Sequence, residues 1–135
     1  MMIRLAPESV SQIPKQFSGI YSHGIEVRNA NRLLYLSGQI GVSPKGVTLD
    51  GFDAQTHQAM DNVEALLGEA DMDQDDIVKV VYYVTDASNI PALSNLRLAR
   101  WGQGQGPTVT TLVVAGLAAP DLLVEIEVTA CKTER

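Results

Sequence analysis

One cysteine, two histidines and a shortage of basic side chains set the first limits on this 135-residue chain. Cys131 alone cannot form an internal disulfide. It lies at the end of a strand-like run and reads as a small buried thiol. His23 and His57 are far apart, in different expected elements, and no HxH, HExxH or CxxC spacing occurs, so no metal is expected. Lys and Arg number 10 against 16 Asp and Glu, for a net charge of −6. The basic residues form no cluster, which argues against nucleic acid or an anionic membrane surface as partner. No apolar stretch approaches the ~20 residues of a membrane span. MMIRLAPESV has neither the apolar run of a signal peptide nor the Arg/Ser-rich pattern of a transit peptide, so a cytoplasmic location is expected. No GxSxG is present. GQGQGP lacks the Lys-Ser/Thr ending of a phosphate loop and follows a helical pattern instead of opening one, so WGQGQGP reads as a helix stop and turn.

What is present fits one domain over residues 1–135, with 45% hydrophobic and 19% charged residues, enough for a single core. Residues 20–27 and 33–40 read as strands, with RNANR between them suited to a tight turn. GVSPKGVTLDGF is a loop. Asp53 is placed to cap a helix over 53–70, whose apolar stripe is Ala59, Val63, Leu66, Leu67 and Ala70, with His57, Asp61 and Glu64 opposite. IVKVVYYV, residues 77–84, is the clearest strand because it is rich in β-branched and aromatic residues. Strand 33–40, helix 53–70 and strand 77–84 could form a right-handed β-α-β unit if the two strands are parallel neighbours. A second helix spans about residues 90–101, with Ser88 or Asn89 as cap and Pro91 in its first turn. VTTLVVAGL and LLVEIEVTA supply two closing strands. The order β-β-α-β-α-β-β predicts an α+β fold with both helices on one sheet face. The other face carries many small or apolar groups, which a partner subunit could cover.

The chemistry centres on LLVEIEV. Strand alternation turns Glu125 and Glu127 to the same side, shared with Leu123. That side is either wet outer surface or the lining of a partly closed cleft in which a carboxylate holds a water or an amine. Two nearby carboxylates would raise one pKa, which suits proton transfer. On the second helix Arg97 and Arg100 fall near the side of Leu93, Leu96 and Trp101. Their stems could snorkel past that stripe, or a guanidinium could reach an interface or a cleft. His23, beside Gly24 in a strand or bend, is a weaker ligand candidate.

LYLSGQIGVSPKG, AMDNVEALL, DIVKVVYYVTD, GPTVTTLVV and LLVEIEV, in that order, resemble the Rid/YjgF family, which also carries the name endoribonuclease L-PSP. The resemblance spans roughly residues 20–131. It implies a chorismate-mutase-like α+β fold and a homotrimer whose sheets pack into a central barrel, with helices outside and small-molecule clefts between subunits. Members with a full site resemble enamine/imine deaminases. They hydrolyse 2-aminoacrylate-type intermediates to a 2-keto acid and ammonia without metal or cofactor. On this pattern Tyr21 stands at the cleft rim, and Ser37 and Gly38 line it. Ser94 or Asn95 falls where an asparagine is frequent. Glu125 matches the glutamate that holds the attacking water, and Glu127 is the more structural of the pair. The pattern departs at Val109, which occupies the place of an arginine in a P-A-R-S motif, and at Thr111, where cysteine is frequent. Valine cannot make the two-pronged pair of a guanidinium with a substrate carboxylate. The resemblance therefore leaves open a hydrolase of imines or enamines, in which the substrate could be uncharged or could meet Arg97 or Arg100, and a non-catalytic small-molecule-binding or sensor trimer. Ribonuclease activity follows only from the family's other name.

Overall fold

The computed structural model describes residues 1–102 and 104–133; Gln103, within the expected helix stop, lies outside them. In chain order the elements are β1 (Met2–Leu5), β2 (Gly24–Val27), β3 (Ala30–Tyr35), β4 (Gln39–Ile40), α1 (Phe52–Glu69), β5 (Ile77–Val84), α2 (Ile90–Trp101), β6 (Thr108–Val113) and β7 (Val124–Thr133). The main sheet runs β3-β7-β5-β6, with β4 also on β7; β1 and β2 form a separate ribbon. β7 is antiparallel to both β3 and β5, while β5 and β6 are parallel and joined through α2.

The order of secondary structure follows the sequence pattern, with instructive shifts. RNANR does not close a hairpin: β2 pairs with β1, a strand the sequence pattern does not signal, and β3 pairs with β7. Strand 33–40 is two short strands. Strand 33–40 and β5 are not neighbours either, since β7 lies between β3 and β5. Helix α1 starts one residue early, at Phe52, which is buried. Gly51 at φ 90° takes the cap position and Asp53 sits in the first turn, where its carboxylate still meets the positive end of the helix dipole. Asn89 precedes α2 without a side-chain cap bond, and Pro91 lies in its first turn.

The core forms between the helices and one sheet face. Val80, Tyr82 and Val84 on β5 and Val124, Ile126 and Val128 on β7 are buried at alternate positions against Ala59, Met60, Val63 and Leu67 of α1 and Leu93 of α2, the period-two and helical spacings expected of each element. Leu66 stands at the edge of the helical stripe and is exposed, while Met60 takes its place in the core. Burial of each large aliphatic side chain contributes about 1.5–3 kcal/mol. The opposite sheet face is open and carries Leu33, Tyr35 and Leu112, at 58%, 73% and 44% exposure. No described helix is long and apolar enough to cross a membrane.

Candidate functional site

Glu125 lies on the open face, as its place between buried Val124 and Ile126 dictates. Across the ladders it is flanked by Ile40 on β4 and Tyr83 on β5. A slip in pairing prepares this spot. Tyr35 opposes Thr129, yet Gln39 opposes Ile126, so one extra residue is accommodated between β3 and β4. Such bulges re-aim the chain beside functional groups. Leu36 still donates to the Val128 carbonyl at 3.0 Å, and the irregularity therefore falls on Ser37 and Gly38. Gly38 is placed directly against the Glu125 carboxylate: a Cβ built on it would sit 1.9 Å from Oε2. Only a residue without a side chain lets the carboxylate occupy this position.

Glu125 is half-buried and joins no ion pair among the described residues. Its neighbour Glu127 is committed. The Tyr83 hydroxyl donates to Glu127 Oε1 at 2.6 Å. That hydrogen bond, more than burial or the charges of Glu127 and Glu125, holds the Tyr83 phenol above its ordinary value. Leu123, expected on the same face, lies before β7, packs against the core and donates its N–H to Gln55 Oε1 at 2.8 Å.

The other candidate residues gather elsewhere. Val109 pairs with Val80 and Thr111 with Tyr82 in the β5–β6 ladder, so both are on the helix-covered side. Val109 packs against the core cluster. Tyr21 approaches the same end of β6: Ser22 N–H donates to the Pro107 carbonyl at 2.7 Å, and a Cβ on Gly106 would meet Tyr21 N at 2.3 Å. Tyr21 makes an edge-on contact with the His23 ring. With Arg4, Ser18 and Ser22, both rings line a groove of about 150 Å³. The His23 ring bonds the Ser11 carbonyl. On α2, Ser94 is half-buried and Asn95 exposed. Within one chain, then, Ser37, Gly38 and Glu125 come together on one sheet face, while Val109 and Thr111 lie on the other.

The two arginines of α2 part company. Arg100 Nη2 binds Asp61 at 2.8 Å and Glu64 at 3.0 Å, and Nη1 donates to the His57 carbonyl at 3.0 Å, joining the helices through the polar side of α1. Arg97 is 7% exposed and lies 4.7 Å above the Tyr82 ring, with Nη2 donating to the Ile20 carbonyl at 3.4 Å. Burial pushes its guanidinium below the ordinary value, opposed by the Tyr82 and Tyr21 phenols. Burial also drives Tyr82 up to about 12, against the pull of Arg97.

Gln55 escapes sequence reasoning. Its Nε2 donates to the Leu49 and Asp121 carbonyls at 3.0 and 2.9 Å, and its Oε1 takes the Leu123 N–H. This tie holds the segment that leads into Glu125. A glutamine in the first turns of an amphipathic helix carries no sequence signal for such a role. No group of three His, Cys, Asp or Glu among the described residues could hold a metal.

Comparison with known proteins agrees with this architecture. The family model described as Endoribonuclease L-PSP matches residues 14–132. A RutC family protein of Aquifex aeolicus is 40% identical over 79 residues, a match spanning 58% of this chain and 61% of that protein. A RutC family protein of Pyrococcus horikoshii is 31% identical over 116 residues, covering 84% of this chain and 88% of the relative. The crystal structure of YyfB from Yersinia pestis, a conserved Rid family protein of unknown function, superposes with a TM-score of 0.84 at 28% identity, covering 97% of this chain and 98% of the other. The chain belongs to the Rid family, also called the endoribonuclease L-PSP family, and has its α+β fold.

Proposed function

We propose that this protein binds a small metabolite and hydrolyses an imine or enamine, with Glu125 as the catalytic residue. The observation that carries this reading is the carboxylate seated over Gly38, half-buried, unpaired among the described residues and reached through a strand irregularity. In this mechanism Glu125 accepts a proton from a water as its oxygen attacks the C=N carbon. The nitrogen takes that proton to give the carbinolamine, Glu125 then relays the carbinolamine hydroxyl proton to the nitrogen as the C–N bond breaks, and a ketone and ammonia leave. For 2-aminoacrylate, which tautomerises to the imine, the products are pyruvate and ammonia.

The separation of the candidate residues onto two sheet faces favours a site completed by a second copy. Three copies joined through the open faces would cover Leu33, Tyr35 and Leu112 and could bring Tyr21, Ser94 or Asn95, Val109 and Thr111 of one protomer toward Ser37, Gly38 and Glu125 of another. A monomeric mass in sedimentation equilibrium would remove this part of the proposal. One domain over residues 1–135, acting in the cytoplasm without metal, cofactor, nucleic acid or membrane, is the setting in which the chemistry is proposed.

The test generates 2-aminoacrylate in situ and follows pyruvate and ammonia. Wild type should accelerate their release over buffer, and Glu125→Gln should lower that acceleration about 10²-fold or more. The absence of acceleration would favour the second reading, a non-catalytic binding or sensor trimer, which draws its support from valine at position 109.

A further inference from the structure

Arg97 presents a charge without a counterion. Arg28 and Arg100 each meet a carboxylate, but no acidic side chain among the described residues pairs with Arg97, the most buried cation among them. A guanidinium withdrawn from water without an anion is unfavourable unless something else compensates it. The Tyr82 ring, 4.7 Å away, and one long hydrogen bond to the Ile20 carbonyl compensate it in part. Every fully buried side-chain nitrogen or oxygen among the described residues has a hydrogen-bond partner. Arg97 Nη2 bonds the Ile20 carbonyl and the Tyr82 phenol is its other polar neighbour, so the guanidinium is held by neutral groups alone.

The position of this cation matters. Tyr82, beneath the guanidinium, shares its rung with Thr111, and the adjacent rung on the same sheet side carries Val80 and Val109. Ile20, whose carbonyl holds Arg97, precedes Tyr21. The guanidinium therefore rises from α2 over the same side and the same strands as the side chain of Val109. We propose that Arg97 is the anion-binding residue of the site, taking the carboxylate of a small 2-imino or 2-oxo acid against Tyr21, Thr111 and the apolar wall of Val109. A cation absent from β6 is supplied from the helix that covers it. The assignment rests on the small-metabolite reading above and extends it by naming the residue that holds the ligand's carboxylate, but binding requires no turnover.

The experiment titrates the protein with pyruvate and, separately, with pyruvamide, which differs in lacking the negative charge. Pyruvate should bind about 30-fold tighter or more, the span expected when a shielded guanidinium meets or lacks its carboxylate. The Arg97 Nε–H resonance of the unmodified protein should move with pyruvate and stay with pyruvamide. Arg97→Met should abolish the preference and Arg97→Lys should keep part of it. Arg97→Met combined with Val109→Arg should restore it, because the two positions converge on one place. Equal affinity of wild type for the two probes, or an Arg97 resonance indifferent to pyruvate, overturns the assignment even if Arg97→Met fails to fold. Pyruvate selectivity without 2-aminoacrylate turnover would keep this assignment and end the hydrolase reading. Turnover that survives Arg97→Met unchanged would do the reverse.

Discussion

Gly38→Ala places a methyl group where the Glu125 carboxylate now lies. The added Cβ would stand 1.9 Å from Oε2, 2.6 Å from Cδ and 2.7 Å from Cγ. Ordinary contact begins near 3.4 Å, so the carboxylate must retreat by about 1.5 Å. Because even Cγ is too close, rotation of the terminal carboxylate alone does not relieve the clash, and the whole side chain must change rotamer. The backbone does not resist alanine, since Gly38 is not among the glycines with positive φ. Reduced freedom of the unfolded chain offsets part of the strain by about 0.4–1 kcal/mol. A displacement of about 1 Å in a positioned group can lower a rate about 10²-fold, and loss of a general base lowers it by about 10²–10⁴-fold. Gly38→Ala should therefore reduce kcat for 2-aminoacrylate hydrolysis by about 10²-fold, approaching Glu125→Gln. KM should change little if binding energy comes mainly from the carboxylate end of the substrate. Tm should stay within about 3 °C of wild type. A Gly38→Ala protein that works within about 3-fold of the wild-type rate would refute the reasoning, because the present seat of Glu125 would then be irrelevant to the chemistry.

Two further predictions concern the frame around the site. Tyr82 is raised from 10.0 to about 12 by burial, so the native state prefers the neutral phenol. Its contribution is fully present below about pH 10 and is lost as pH rises toward and through 12, a decline of about 3 kcal/mol; urea unfolding followed by Trp101 fluorescence should show it, and Tyr82→Phe should flatten the slope. Gln55→Leu strands the Leu123 N–H and the Leu49 and Asp121 carbonyls. At about 1 kcal/mol each the loss is about 3 kcal/mol, or about 10 °C in Tm by calorimetry, and a fall under about 3 °C would mean that water replaces all three bonds.

Local pattern makes most of the elements legible. IVKVVYYV announces β5 because every second residue must enter the core, and the same alternation in VEIEV is enough to turn Glu125 and Glu127 outward. Pairing partners are not legible in this way, because register depends on residues distant in sequence. MIRL is too short to stand out as a strand until β2 lies beside it, and the slip at Ser37–Gly38 exists only relative to β7. Arg97 and Arg100 are equivalent as letters on a helix. They differ because Asp61 and Glu64 approach one and Tyr82 the other.

The alternation that reveals Glu125 also limits what one chain can do. Glu125 shares a rung with Tyr83, and Val109 shares one with Val80; neighbours in a strand face opposite ways, so the two positions look out from opposite sides of one sheet. No rotamer brings a side chain through a hydrogen-bonded ladder. A water held by Glu125 and an anion held by Arg97 above Tyr82 can therefore meet over a single small substrate only if different copies supply them. By this geometry assembly is a chemical requirement of the proposed reaction. The open face bearing Leu33 and Tyr35 is then part of the catalytic design, since covering it with another copy is what could bring the acid of one protomer within reach of the cation of the next.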